Sequence, residues 1–170
     1  NCRNTKPIGE ELSLVTGFEK TPYLPTKIEG IPVEYRFHKN TEEQVNYLEQ
    51  ILLRLLKRKI QPERITLLSP FKYDHSIVSH TNSDKFEILD LSKSPHENQG
   101  DDCLTFSTIQ GFKGMENSYI ILTDIIRLLD DEFNSLLYVG MSRAKVGLYL
   151  LLDSRLRENY NKLVKKGVDE

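Results

Sequence analysis

Short apolar runs recur along this chain between amphipathic helical stretches, and that alternation leaves few architectures open. Residues 65–68 and 146–152 are apolar almost throughout, as strands buried on both faces must be. Residues 33–37 instead alternate: Val33, Tyr35 and Phe37 are separated by Glu34 and Arg36, the period of a strand. Further strands are expected at 86–91, 104–107 and 119–123, the last two joined by a tight connection. Helices are expected from Thr5 to the stop at Gly17, over 41–59, 74–80, 132–145 and 154–166, with loops at 18–30 and 92–102. Thr41 followed by Gln44 fits a capping box, and Glu42 and Glu43 suit the positive end of the helix dipole. Lys57, Arg58 and Lys59 suit its negative end. Alternating β and α elements imply a parallel sheet covered on both faces, with ligands at strand ends.

The 170 residues amount to one domain, expected over 1–170, and the chain starts with Asn1 rather than Met, which reads as a piece of a longer protein. Charge is nearly balanced, 25 acidic residues against 23 basic, so any nucleic-acid contact must come from a local patch. No apolar run approaches the roughly 20 residues of a membrane span. Cys2 and Cys103 lie far apart and form no CxxC pair, which suits a reducing, cytoplasmic setting without a zinc site. The acidic run Asp130, Asp131 and Glu132 belongs to a helix start by dipole reasoning, and no metal site is expected.

Three segments can carry chemistry. The first, Thr108-Ile109-Gln110-Gly111-Phe112-Lys113-Gly114-Met115-Glu116, follows a strand directly, and its glycines permit a tight turn with close backbone approach to a ligand. Taken alone it reads more simply as a glycine turn with solvated charges. No GxxxxGK[ST] loop occurs in the chain, so the usual cradle for β and γ phosphates is missing. In the second, Leu136-Leu137-Tyr138-Val139-Gly140-Met141-Ser142-Arg143-Ala144-Lys145, Arg143 shares a helical face with Leu136 and Gly140. That spacing leaves two readings open: phosphate recognition by a permanently charged planar group, or an ion pair with Asp124 or Asp130. The third, Asn1-Cys2-Arg3-Asn4-Thr5, precedes a helix, where an arginine and free N–H groups can meet an anion. A frayed terminus explains it more simply when taken alone.

Together and in this order, the segments resemble motifs IV, V and VI of the UvrD/Rep-like helicases of superfamily 1. NCRNTKPI resembles N-x-R-S-T-x-x-I, TIQGFKGMENSYIIL resembles the K-G-L-E motif V with its following strand, and LLYVGMSRAK resembles L-x-Y-V-A/G-x-T-R-A. The resemblance implies a RecA-like three-layer α/β domain with a mostly parallel sheet, the C-terminal lobe of an ATP-dependent DNA helicase or translocase. The first RecA-like domain, with Walker A and B, would lie outside this chain and hold most of the ATP and Mg²⁺. By the same resemblance Arg143 is the arginine finger and Arg3 a second phosphate arginine. Glu116 would bond the ribose, with Lys113, Gly114 and Tyr138 on the nucleotide side. Thr108 and Gln110 would lie against single-stranded DNA, with RNA as the alternative strand. Gln110 stands in place of the usual His, Met115 of Leu, Ser142 of Thr and Asn117 of an aromatic. The short interval between motifs IV and V implies a compact relative without the large accessory domain. These 170 residues alone are then expected to lack ATPase activity, because an arginine finger only completes a site assembled elsewhere. Two other readings remain: a non-catalytic α/β module binding a nucleotide or partner, and an RNA-directed superfamily 1 helicase.

Overall fold

The computed structural model describes residues 4–16, 31–93, 102–128 and 131–168. Six strands form one sheet: β1 (Glu34–His38), β2 (Ile65–Ser69), β3 (Ile88–Asp90), β4 (Leu104–Thr108), β5 (Asn117–Ile125) and β6 (Ala144–Asp153). Their order is β1-β6-β5-β2-β4-β3, and every pairing is parallel. Helices α1 (Lys6–Thr16), α3 (Asp131–Met141) and α4 (Arg157–Val168) belong to one face, and α2 (Thr41–Lys57) covers the other. The expected three-layer α/β architecture is therefore the one observed.

The period of two along each strand divides the core between those faces. Ile120 and Leu122 of β5, with Leu148, Leu150 and Leu152 of β6, join Ile8, Leu137, Met141 and Tyr160 in one cluster. Tyr119 and Ile121, with Tyr149 and Leu151, face Leu48, Ile51, Leu52 and Leu55 of α2 in the other. Each such fully buried aliphatic side chain contributes about 1.5–3 kcal/mol relative to exposure. No helix among the described residues is long and apolar enough to cross a membrane.

Several boundaries differ from the sequence reading, α2 ending at Lys57 rather than Lys59 and β3 covering only Ile88–Asp90 among them, and four further differences have local causes. The cap of α2 is Asn40 rather than Thr41: its Oδ1 accepts from Glu43 N at 2.8 Å, while Glu43 Oε2 accepts from Lys39 N at 2.6 Å. The helix expected over 74–80 is two 3-10 turns, Tyr73–His75 and Ile77–His80. Ser76 between them is extended and gives its hydroxyl to Asp124 Oδ2 at 2.6 Å, which breaks any continuous helix. The helix expected to reach Lys145 stops at Met141, because Ala144 already pairs with Asn117 of β5. The last helix is preceded by a 3-10 turn, Ser154–Leu156, whose Arg155 N–H is capped by Asp153 Oδ1 at 2.8 Å. The loop expected at 18–30 and most of that at 92–102 lie outside the described residues.

Candidate functional site

Arg143 lies in the bend between α3 and β6, at the amino edge of the sheet. The expectation that it lies in line with Leu136 and Gly140 on a helical face fails, since the helix has ended two residues earlier. Its backbone N–H still bonds back to Gly140 O at 3.2 Å, and its carbonyl accepts from Asn117 N at 3.1 Å. The half-buried guanidinium donates from Nε to Val139 O at 3.1 Å, satisfying a carbonyl at the helix's negative end. No carboxylate among the described residues forms an ion pair with it. The suggested partner Asp124 sits at the opposite end of β5, accepting from Ser69, Ser76 and Thr123, and Asp130 lies outside the described residues. The Nη groups, four of the five N–H donors of a guanidinium, keep no partner among the described residues.

A second side chain closes on the same bend. Asn4 Nδ2 donates to Ser142 O at 3.1 Å and to Ala144 O at 2.7 Å, on either side of Arg143. Arg3, immediately before it, lies outside the described residues. Sequence reasoning overlooked Asn4. The only signal for it was its position inside the resemblance to motif IV.

Residues 109–116 connect β4 to β5, two parallel strands on either side of β2, and so must return the chain from one end of the sheet to the other. Ile109 and Phe112 anchor this crossover in the core, while Gln110, Lys113 and Gly114 are exposed. Gly114 has φ +89 with open space around its missing Cβ, so the backbone conformation, and not room, calls for glycine. Glu116 pairs with Lys145 Nζ at 2.5 Å, which brings the ends of the two motif-like segments together beside Arg143. Lys145 was likewise not singled out from the sequence. Tyr138 is half-buried, and its carbonyl accepts from Ser142 N at 3.0 Å.

Thr108 and Gln110 lie elsewhere, at the carboxyl end of β4. Thr108 Oγ1 accepts from Gly111 N at 3.0 Å, closing the turn. Gln110 lines a cleft of about 470 Å³ with Pro70, Phe71, Ile126, Arg127, Phe133 and Leu136. Phe71 and Ile126 are 37% and 39% exposed, high for large apolar groups, and Arg127 is exposed beside them. Asp124 holds one wall: its carboxylate receives Ser69 Oγ, Ser76 Oγ and Ile77 N, fixing the segment that carries Phe71. Among the described residues, Thr108 and Gln110 therefore lie at one end of the sheet and Glu116 and Arg143 at the other, joined by the 109–116 crossover that carries Lys113 and Gly114. Among the described residues, no three His, Cys, Asp or Glu side chains converge as a metal-binding group.

Residues 104–151, from β4 through most of β6, match the family described as the UvrD-like helicase C-terminal domain. The C-terminal domain of a possible DNA helicase from Lactobacillus plantarum WCFS1 has a similar fold, with a TM-score of 0.67 at 14% identity over 89% of this chain and 87% of that one. The C-terminal part of the Fun30 ATPase domain gives a TM-score of 0.48 at 12% identity, over 71% of this chain and 44% of that one. No curated protein matches the sequence.

Proposed function

We propose that this chain, a UvrD-like helicase C-terminal domain by its 104–151 segment and its RecA-like fold, is the second lobe of an ATP-driven motor on single-stranded nucleic acid, DNA in the first instance. ATP is the substrate, held mainly by a first RecA-like lobe that carries the phosphate loop. Arg143 is the arginine finger that reaches the γ-phosphate from this side, with Arg3 as a second phosphate arginine. Glu116 meets the ribose, and Lys113, Gly114 and Tyr138 form the surrounding surface. Among the described residues no group of carboxylates converges, and the arginine and amide donors here suit a phosphate anion, with Mg²⁺ held by the first lobe.

One observation supports the reading: among the described residues the Arg143 guanidinium is held only through Nε, on Val139 O, so its Nη donors are available to a phosphate. Fixed donors directed at developing charge are what phosphoryl transfer needs from a finger, and such a group is worth about 10³–10⁵ in turnover. Thr108 and Gln110, with the apolar and cationic cleft beside them, suit bases and phosphates of a single strand. The 109–116 crossover joins that cleft to Glu116, giving a direct covalent route between strand contact and nucleotide contact.

The test uses the full-length protein with its first lobe. Arg143→Ala is expected to lower ATP turnover by about 10³ with ATP binding largely kept. Normal turnover in that variant removes the finger assignment. Comparing ATPase stimulation by single-stranded DNA and RNA decides the substrate, and no ATPase in the full-length protein would instead favour a non-catalytic nucleotide- or partner-binding module.

A further inference from the structure

We infer that Asn4 is a positioning residue for Arg143, and that it couples the entrance of α1 to the finger; the inference rests on the finger reading above. Only the NH₂ end of an asparagine amide can face two carbonyl oxygens, so contacts with Ser142 O and Ala144 O fix which end points inward. The side chain thus spans the residue whose guanidinium must be placed. The carbonyl between those two, that of Arg143 itself, is taken by Asn117 N at 3.1 Å. Three successive carbonyls of the bend are therefore held from outside, two by Asn4 and one by β5.

This clamp has a purpose that packing alone does not supply. A bend directly after a helix end is free to shift its φ and ψ by small amounts, and a long side chain such as arginine magnifies any such shift at its tip. A displacement of about 1 Å at a catalytic group can cost on the order of 10² in rate. Asn4 also leads straight into α1, whose first turn closes with Gly9 N to Thr5 O at 3.1 Å. Arg3 is the next residue back along the chain.

The experiment is steady-state ATPase on the full-length protein, with Asn4→Ala, Asn4→Asp, Arg143→Ala and the double variant Asn4→Ala/Arg143→Ala. Asn4→Ala is expected to lower kcat by about 10–100-fold with KM for ATP within about twofold. Asn4→Asp keeps the volume but turns an oxygen toward two carbonyls, and should fall at least as far. The double variant should be no slower than Arg143→Ala alone, because the clamp acts only through that arginine. If Asn4→Ala or Asn4→Asp keeps kcat within twofold at a temperature where it is folded, the inference is overturned, even if its melting temperature drops. Additive losses in the double variant overturn it as well. If Arg143→Ala itself turns over normally, the fault lies with the finger reading.

Discussion

Lys145 engages the carboxylate of Glu116, Nζ to Oε1, at 2.5 Å, so the group assigned to the ribose is held by a neighbour on the adjacent strand. Both side chains are well exposed, at 46% and 39%, and a pair so placed contributes little to folding. Glu116→Gln should therefore shift unfolding free energy by less than about 1 kcal/mol. In the full-length protein the same change is expected to raise KM for ATP by about tenfold, the equivalent of 1.4 kcal/mol. That penalty should disappear with 2′,3′-dideoxy-ATP, which lacks the hydroxyls. An equal penalty with both nucleotides would take the ribose contact away from Glu116.

Gly140 presses α3 onto the sheet. A Cβ built there meets Leu122 Cδ2 at 2.8 Å and Ile109 Cγ2 at 3.4 Å. For Gly140→Ala the crowding is met by a small movement of the Leu122 methyl, and the helix gains about 1 kcal/mol over glycine. The net change in stability should stay within about 1 kcal/mol. Gly140→Leu has no such escape and is expected to cost about 2–3 kcal/mol through overpacking. Urea unfolding midpoints decide it, and a stable Gly140→Leu would mean that α3 rides higher than described.

Much of this fold could be read from the chain because the strong signals were local. The apolar runs became β2 and β6, and the long amphipathic stretch became α2, with its cap displaced by one residue. What could not be read depended on contacts remote in sequence. Helical spacing continues unbroken through Leu136, Gly140 and Arg143, but Ala144 is claimed by Asn117, and strand pairing wins over the helix's last turn. Ser76 departs from helical geometry to reach Asp124, 48 positions away, and Asn4 meets its carbonyls 138 and 140 positions away. The motif-like run 108–116 is continuous in sequence yet serves both ends of the sheet, and only the β4-β2-β5 order reveals that division.

Asp124 is expected to be the most costly polar residue to lose. It adopts φ +61, the left-handed region, and accepts from Ser69 Oγ and Ser76 Oγ at 2.6 Å, Thr123 Oγ1 at 2.8 Å and Ile77 N at 3.2 Å. Asp124→Ala strands buried hydroxyls at about 1–3 kcal/mol each and keeps a non-glycine residue at positive φ, so a loss above about 3 kcal/mol is expected. Asp124→Asn retains one oxygen and tolerates that backbone, and should lose roughly half as much. Because Ser69 Oγ also accepts from Phe71 N at 3.0 Å, the surviving Asn variant should need more single strand for half-maximal ATPase stimulation. Unchanged strand dependence would separate Asp124 from the cleft.

Glu11 should impose a pH dependence of unusual sign. Its carboxylate takes the hydroxyl of Tyr160, joining α1 to α4, yet burial outweighs that bond and pushes the Glu11 carboxyl above the ordinary carboxylate range. The fold thus favours the neutral acid more than the unfolded chain does. Its contribution to stability is complete below the usual carboxylate pKa and is lost as pH rises through the higher folded value. His38 works oppositely: burial lowers its pKa, so its contribution is present above the usual imidazole value and is lost as pH falls. Asp153, held low by Arg155, loses its share only under more acid conditions. Wild type alone therefore mixes signs, and the informative quantity is a difference. The unfolding free energy of Glu11→Gln minus that of wild type should grow as pH rises above the ordinary carboxylate value and level off once Glu11 is charged in the fold, at no more than about 1.4 kcal/mol per pH unit. Tyr160→Phe, which removes a donor favouring the charged form, should push the Glu11 pKa higher still and extend the loss of stability to higher pH. A difference that stays constant with pH would show that Glu11 ionises in the fold as it does in the unfolded chain.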